Sequence, residues 1–198
     1  MIARILSEVV EACESPAVRA STFALTEKLS AVRRRGGRVY VAGVGGSAPN
    51  ASHCVNDLRK IAGIRAYCPT DNVAELTART NDAECRGLAG RGCGIWLRNY
   101  LMTEDLTTDD AVLILSVGGG SLESSPWVRP ALEYARQVGA MVLAIVSRDG
   151  GDAMRFATVT VHIQPHDEAL TTPVAEAMQG VVWHCVVNAL REENAQCY

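Results

Sequence analysis

The sequence predicts an α/β chain built on a doubly wound parallel β-sheet flanked by helices, with helices at its N-terminal end and one long C-terminal helix. Three observations carry that expectation. Short apolar runs rich in valine and isoleucine recur at 38–44, 64–68, 111–117, 141–146 and 159–163. The runs at 111–117 and 141–146 do not alternate with polar residues, which suits strands buried on both faces of a parallel sheet. A helical pattern lies between successive runs. Two glycine-rich loops, GVGGSAPN at 43–50 and SVGGGSLESS at 116–125, follow the first and third runs. Doubly wound folds bind ligands beyond the carboxyl ends of their strands, where these loops would lie.

Two helices open the chain, at 2–13 and 16–35, and Ser15 followed by Pro16 suits a cap and first turn. Further helices are expected at 49–62, 72–80, 94–102 and 126–138, with a short one near Asp152. The last runs from Pro173 to about 193, with Thr172 as its cap. No linker, repeat or low-complexity segment divides the chain, so one domain over 1–198 is expected.

With 198 residues, 48% of them hydrophobic, the chain can bury a sizeable core. A net charge of -3 supplies no concentrated basic field, which argues against a general nucleic-acid or membrane-surface binder. Arg33, Arg34 and Arg35 read as a solvated helix end, favourable to the helix dipole. Seven cysteines without a CxxC pair suit reduced thiols in a cytoplasmic protein, and their spacing argues against zinc ligation. Glu8 and Glu11 interrupt any signal-peptide pattern, and no apolar run reaches membrane-span length.

Glycines in the two loops let a ligand approach the backbone, while hydroxyls and a helix N-terminus favour an anion. Neither loop is a GxxxxGK[ST] phosphate loop. The first satisfies GxGxxA through Gly43, Gly45 and Ala48, with Asp71 after the second strand. A dinucleotide would leave the second loop unexplained, so a small phosphorylated ligand is the favoured reading.

His53 and Asp57 stand four apart after the first loop, on one helix face. Glu176, Gly180 and His184 step by four along the last helix. Gly180 costs about 1 kcal/mol against alanine in a helix interior, which suggests close approach of something to the backbone there. Two carboxylates and two imidazoles could hold a divalent metal or form an acid–base set. Alternatively His184, within VVWHCVV, is a core or interface histidine. Spacing alone does not show that the two helices meet.

GVGGSAPNASHCVNDLRK, ARTND, LSVGGGSLESS, GAMVLAIVSRDGG and TPVAEAMQGVVWH together resemble the sugar isomerase (SIS) domain, and more closely the phosphoheptose isomerases. The resemblance runs from about Arg38 to His184. It implies a five-stranded parallel sheet, a homotetramer with active sites shared between subunits, and the N-terminal helices 1–36 as contributors to that assembly. They could equally pack on their own sheet.

The activity implied is interconversion of sedoheptulose 7-phosphate and D-glycero-D-manno-heptose 7-phosphate, towards activated heptose for lipopolysaccharide or other glycans. The alternatives are an isomerase of another sugar phosphate, or a non-catalytic SIS module that binds a sugar phosphate or a protein. Gly45, Gly46 and Ser47 match a substrate loop; Ser116, Gly118 and Ser121 match positions of a phosphate loop; Asn81 and Asp82 match a sugar-contacting pair. Glu176 also falls at a substrate-binding position. His53, Asp57, Glu176 and His184 match positions that ligate zinc in some members, and Asp57 with His184 match the acid–base pair. Four departures stand out: Val44 replaces asparagine, Asp57 glutamate, Glu176 glutamine and Gly118 serine.

Overall fold

The computed structural model describes residues 1–82 and 94–195, with side chains described up to residue 193. Helices α1 (Ile2–Glu14) and α2 (Pro16–Arg34) lead into β1 (Arg38–Ala42), α3 (Ser47–Lys60) and β2 (Arg65–Tyr67). Then follow α4 (Val73–Asn81), α5 (Trp96–Thr103), β3 (Ala111–Ser116), α6 (Val128–Val138) and β4 (Met141–Val146). The chain continues through α7 (Gly151–Phe156), β5 (Val159–His162), a 3₁₀ turn at Glu168–Leu170, and α8 (Thr171–Ala195).

The five strands are parallel in the order β2-β1-β3-β4-β5. From β1 the chain crosses to β2 on one side and returns to β3 on the other. The loops after β1 and β3 therefore diverge at a topological switch point, which opens a crevice between them. Both glycine-rich segments lie there.

Alternating side chains feed two layers. Val39, Val41, Leu113 and Leu115 face a core completed by α2, α3 and α8. Tyr40, Ala42, Val112 and Ile114 face a second core completed by α5, α6 and α7. The inner side of α1, through Ile5, Val9 and Ala12, packs on the first core, while Ile2, Leu6, Val10 and Phe23 stay exposed. No helix among the described residues is long and apolar enough to cross a membrane.

Element ends depart from expectation for local reasons. Helix α3 starts at Ser47 and α8 at Thr171, each with a proline third in line. An amide in the first turn has no intrahelical acceptor, so Pro49 and Pro173 cost no hydrogen bond there. Helix α6, by contrast, starts later, at Val128. Strand β1 stops at Ala42, because a β-carbon at Gly43 would overlap the Ser47 carbonyl where the chain turns. The Ser15 cap holds, with its side chain accepting from the Val18 amide.

Arg33 is not a solvated helix end. Its guanidinium donates to the carbonyls of Leu190 (2.9 Å) and Ala62 (3.2 Å) and to Glu193 (2.8 Å), joining α2 to the end of α8.

Asp110 anchors the sheet's amino edge. It is buried and accepts from the Arg38 amide (2.7 Å), the Arg38 guanidinium (2.7 Å) and the Thr107 amide (2.9 Å). Burial alone would raise its pKa, but the hydrogen bonds from Arg38 and Thr107 outweigh it and hold the carboxyl below its ordinary value. The stabilisation is therefore present above the unfolded value, near pH 4, and is lost as pH falls through the lower folded value. Asp110→Asn is expected to cost about 2–3 kcal/mol at neutral pH, and less at pH 3. Urea unfolding at the two pH values checks this; an equal loss at both would contradict it.

Candidate active site

Helices α3 and α8 run side by side in the same direction, and paired side chains mark their length. Gly46 meets Glu176; Ser47 and Asn50 meet Gln179; Asp57 meets His184. Gln179 is buried, donates to the Ser47 hydroxyl (3.0 Å) and accepts from the Asn50 amide (3.0 Å). Asn50 also donates to the Glu176 carbonyl (2.9 Å).

At the lower end, the Asp57 carboxylate is buried between two imidazoles. Its Oδ2 lies 3.7 Å from His53 Nε2 and 3.9 Å from His184 Nε2. Oδ1 accepts from the Asn56 side chain at 2.8 Å. His184 Nδ1 lies 2.7 Å from the Gly180 carbonyl, an acceptor only, so this nitrogen carries hydrogen. Nε2 then faces Asp57, an arrangement suited to a shared proton or cation. The Trp183 ring stacks on His184 (centroids 3.5 Å apart) and packs against His53 (4.6 Å), which fixes both imidazoles.

The fit of a divalent ion can be tested on these atoms. Ligand atoms of His53, Asp57 and His184 all lie within 4.8 Å of one another. An ion bonded to each at roughly 2.0–2.2 Å brings ligand atoms within about 4 Å of one another, so small side-chain rotations suffice. Two imidazoles and a carboxylate are a zinc-type donor set that leaves a position open, as catalytic sites do. The Nδ1 bond to Gly180 would fix the ligating tautomer of His184.

Glu176 stands apart from this group. Eight residues separate it from His184, roughly 12 Å of helix rise. Its carboxylate instead lies against Gly46, where any β-carbon would overlap it. That places a negative charge at the N-terminus of α3, favourable to the helix dipole. The close approach expected at Gly180 is absent, since a β-carbon there would meet open space. Close packing falls at Gly46 instead.

Of the remaining candidates, Gly45, Asn81 and Ser121 line cavities at the switch-point crevice. Gly45, Val44 and Asn81 border a cavity of about 700 Å³ with Thr70, Trp96 and Trp127. The Trp127 ring nitrogen is buried there without a partner among the described residues. Asp82 caps the end of α4. Ser47 is buried and occupied by Gln179.

Ser116 accepts from the Gly119 amide (3.0 Å) and shapes the second loop. Ser121 borders an adjoining cavity of about 400 Å³ between that loop, α5 and α6. Gly118 has an ordinary backbone and space for a side chain, so nothing in the geometry demands glycine there.

Asn50, Gln179, Trp183 and Trp127 escaped sequence reasoning. Gln179 and Trp183 sit beside the Glu176 and His184 positions, but only the pairing of the helices shows their use. Among the described cysteines, Cys13, Cys54, Cys68 and Cys185 are free, and burial pushes the Cys54 and Cys68 thiols upward. Cys85, Cys93 and Cys197 lie outside the described residues.

No family model matches the chain. The fold is that of phosphoheptose isomerase from Neisseria gonorrhoeae, with a TM-score of 0.79 over 96% of this chain and 97% of that one, at 20% identity. In sequence, the chain is 28% identical over 168 residues to a phosphoheptose isomerase of Syntrophotalea carbinolica, covering 83% of this chain and 78% of that one. It is 32% identical over 164 residues to the lincomycin biosynthesis protein LmbN of Streptomyces lincolnensis, covering 78% of this chain. The chain spans only 56% of that relative's length. These likenesses bear out the resemblance read from the motifs: the chain has the SIS fold and is related to the phosphoheptose isomerases.

Proposed function

We propose that this chain is an aldose–ketose isomerase of sugar phosphates, with sedoheptulose 7-phosphate and D-glycero-D-manno-heptose 7-phosphate as its pair. On this reading it serves the synthesis of activated heptose for lipopolysaccharide or other glycans. The relatives support the reaction class. The observation that carries it is the buried Asp57 carboxylate facing His184 Nε2 at 3.9 Å, with Trp183 holding the imidazole.

Isomerisation moves a proton between adjacent carbons through an enediol, which needs a base at carbon and an acid at the neighbouring oxygen. Asp57 Oδ2 takes the carbon-bound proton, which exchanges with solvent at the enediol stage, and delivers a proton to the adjacent carbon. His184 Nε2 handles the oxygen-bound proton, its ring held by the Gly180 carbonyl and the indole. In the metal-bound form His53, Asp57 and His184 would hold a divalent ion, zinc in this reading, which would supply Lewis-acid polarisation of the carbonyl and hydroxyl oxygens. The ligand atoms engaged by it would not serve as free bases at the same time.

Gly45 and Asn81 border the sugar's cavity, with Gly46, Ser47 and Asp82 beside it, and Ser116, Gly118 and Ser121 form the phosphate loop. Asp57 stands about 15 Å further along α3, so this reading takes each active site to be shared between subunits, one chain's cavity facing another's acid–base pair. Glu176 closes the head of α3 in place of ligating the ion. The assembly proposed is a homotetramer, and the exposed Leu6, Val10 and Phe23 of the N-terminal helices support a role for them in it.

Purified protein should convert sedoheptulose 7-phosphate, lose that activity on chelation and regain it with zinc. Activity indifferent to chelation would remove the metal and keep the acid–base pair. A folded sample that converts no heptose phosphate in any condition would overturn the reading.

A further inference from the structure

The adjoining cavity of about 400 Å³ holds a group that the functional reading leaves unused. Arg98, third residue of α5, lines it together with Ser121, Arg129, Glu133 and Asp152. Arg129 is paired with Glu133 (2.8 Å), and Asp152 with Arg155 (3.6 Å). Both acids of the lining are thus matched to other arginines. Arg98 is half-buried, and among the described residues its guanidinium has neither an ion-pair nor a hydrogen-bond partner.

The Ser121 hydroxyl is arranged for the same purpose. Its oxygen accepts from the amides of Ser124 (3.0 Å) and Glu123 (3.3 Å), and its contact with the Ser124 carbonyl is long, at 3.5 Å. With its lone pairs used by amides, the hydroxyl proton makes only the long 3.5 Å bond to the Ser124 carbonyl and can turn from it to an anion.

The first loop offers the opposite environment. The Glu176 carboxylate lies on Gly46, at the helix end that would otherwise attract an anion. A phosphate placed there would meet a like charge.

We infer that Arg98, with Ser121, holds the phosphate of the substrate in the cavity between the second glycine loop, α5 and α6. This rests on the sugar-phosphate reading for the identity of the ligand, but not on the chemistry at Asp57. A guanidinium binds a phosphate monoester through two parallel N–H donors, which fixes orientation as well as affinity. Arg98 is thus a binding and positioning residue.

The test is calorimetric titration of the full chain with sedoheptulose 7-phosphate and with inorganic phosphate, using wild type, Arg98→Gln and Arg98→Lys, beside steady-state kinetics. Arg98→Gln is expected to weaken both ligands by about 10- to 100-fold, the loss of a hydrogen bond to a charged group. KM should rise while kcat changes little, and Arg98→Lys should recover part of the affinity.

Wild-type affinity in a folded Arg98→Gln variant would overturn the inference, and so would an altered oligomer size with affinity intact. Binding that depends on Arg98 without turnover of any sugar phosphate would sustain the inference and sink the isomerase reading. A wild-type chain that binds neither ligand would sink both.

Discussion

Asp57→Asn is expected to lower turnover of sedoheptulose 7-phosphate by roughly 10²–10⁴-fold, the range for removing a general base, with the fold intact. Asparagine has nearly the same shape. Its carbonyl can keep the bond from the Asn56 side chain that Oδ1 now accepts. What is lost is the carboxylate oxygen facing His53 and His184 at 3.7 and 3.9 Å. An amide there cannot take a proton from carbon, and it is a poor partner for a cation. Steady-state rates beside thermal unfolding check this: the rate should collapse at an unchanged midpoint. Full activity in the variant would remove Asp57 from the chemistry.

Gly119→Ala is expected to be the most destabilising single methyl added to the second loop, at about 2–5 kcal/mol. Gly119 has φ +70°, a left-handed conformation that costs roughly 1–2 kcal/mol for other residues. A β-carbon there would also run into the Gly150 carbonyl, adding about 1–3 kcal/mol of overpacking. The neighbouring chain cannot easily yield. The amides of Asp152 and Ala153 donate to the carbonyls of Gly120 (2.9 Å) and Gly119 (2.8 Å), tying the start of α7 to the loop. Gly118→Ala is the control, because its backbone is ordinary and its surroundings are open. It should stay within about 0.5 kcal/mol of wild type. Urea unfolding of the two variants gives the comparison, and equal losses would contradict the account of the loop.

Much of the fold was legible because the central strands β3 and β4 are short apolar runs with almost no polar interruption, and each of the five strands appears within the run that announced it. Helix starts were less legible. Pro49 and Pro173 mark first turns, but a proline is tolerated anywhere before the first intrahelical acceptor is needed, so it does not fix the first residue.

At the site, i,i+4 spacing correctly put His53 and Asp57 on one face. It could not state the register between α3 and α8. That register sends His184 to Asp57 and Glu176 to Gly46, two turns away. Glu176 therefore shares a stripe with His184 without sharing its partner. Gln179 and Asn50 were missed for the same reason: a buried amide declares its use only when the facing helix is known. Arg98 carries no local signal, since its significance lies in the pairing of Glu133 and Asp152, the acids among the described residues that line its cavity, with other arginines.

The most direct measurement is conversion of sedoheptulose 7-phosphate in deuterium oxide, followed by proton and deuterium NMR. The account predicts aldose product with solvent deuterium at carbon 2, the mark of a proton passed through Asp57 and an exchangeable enediol. Conversion without deuterium, or no conversion by a folded sample, would contradict it.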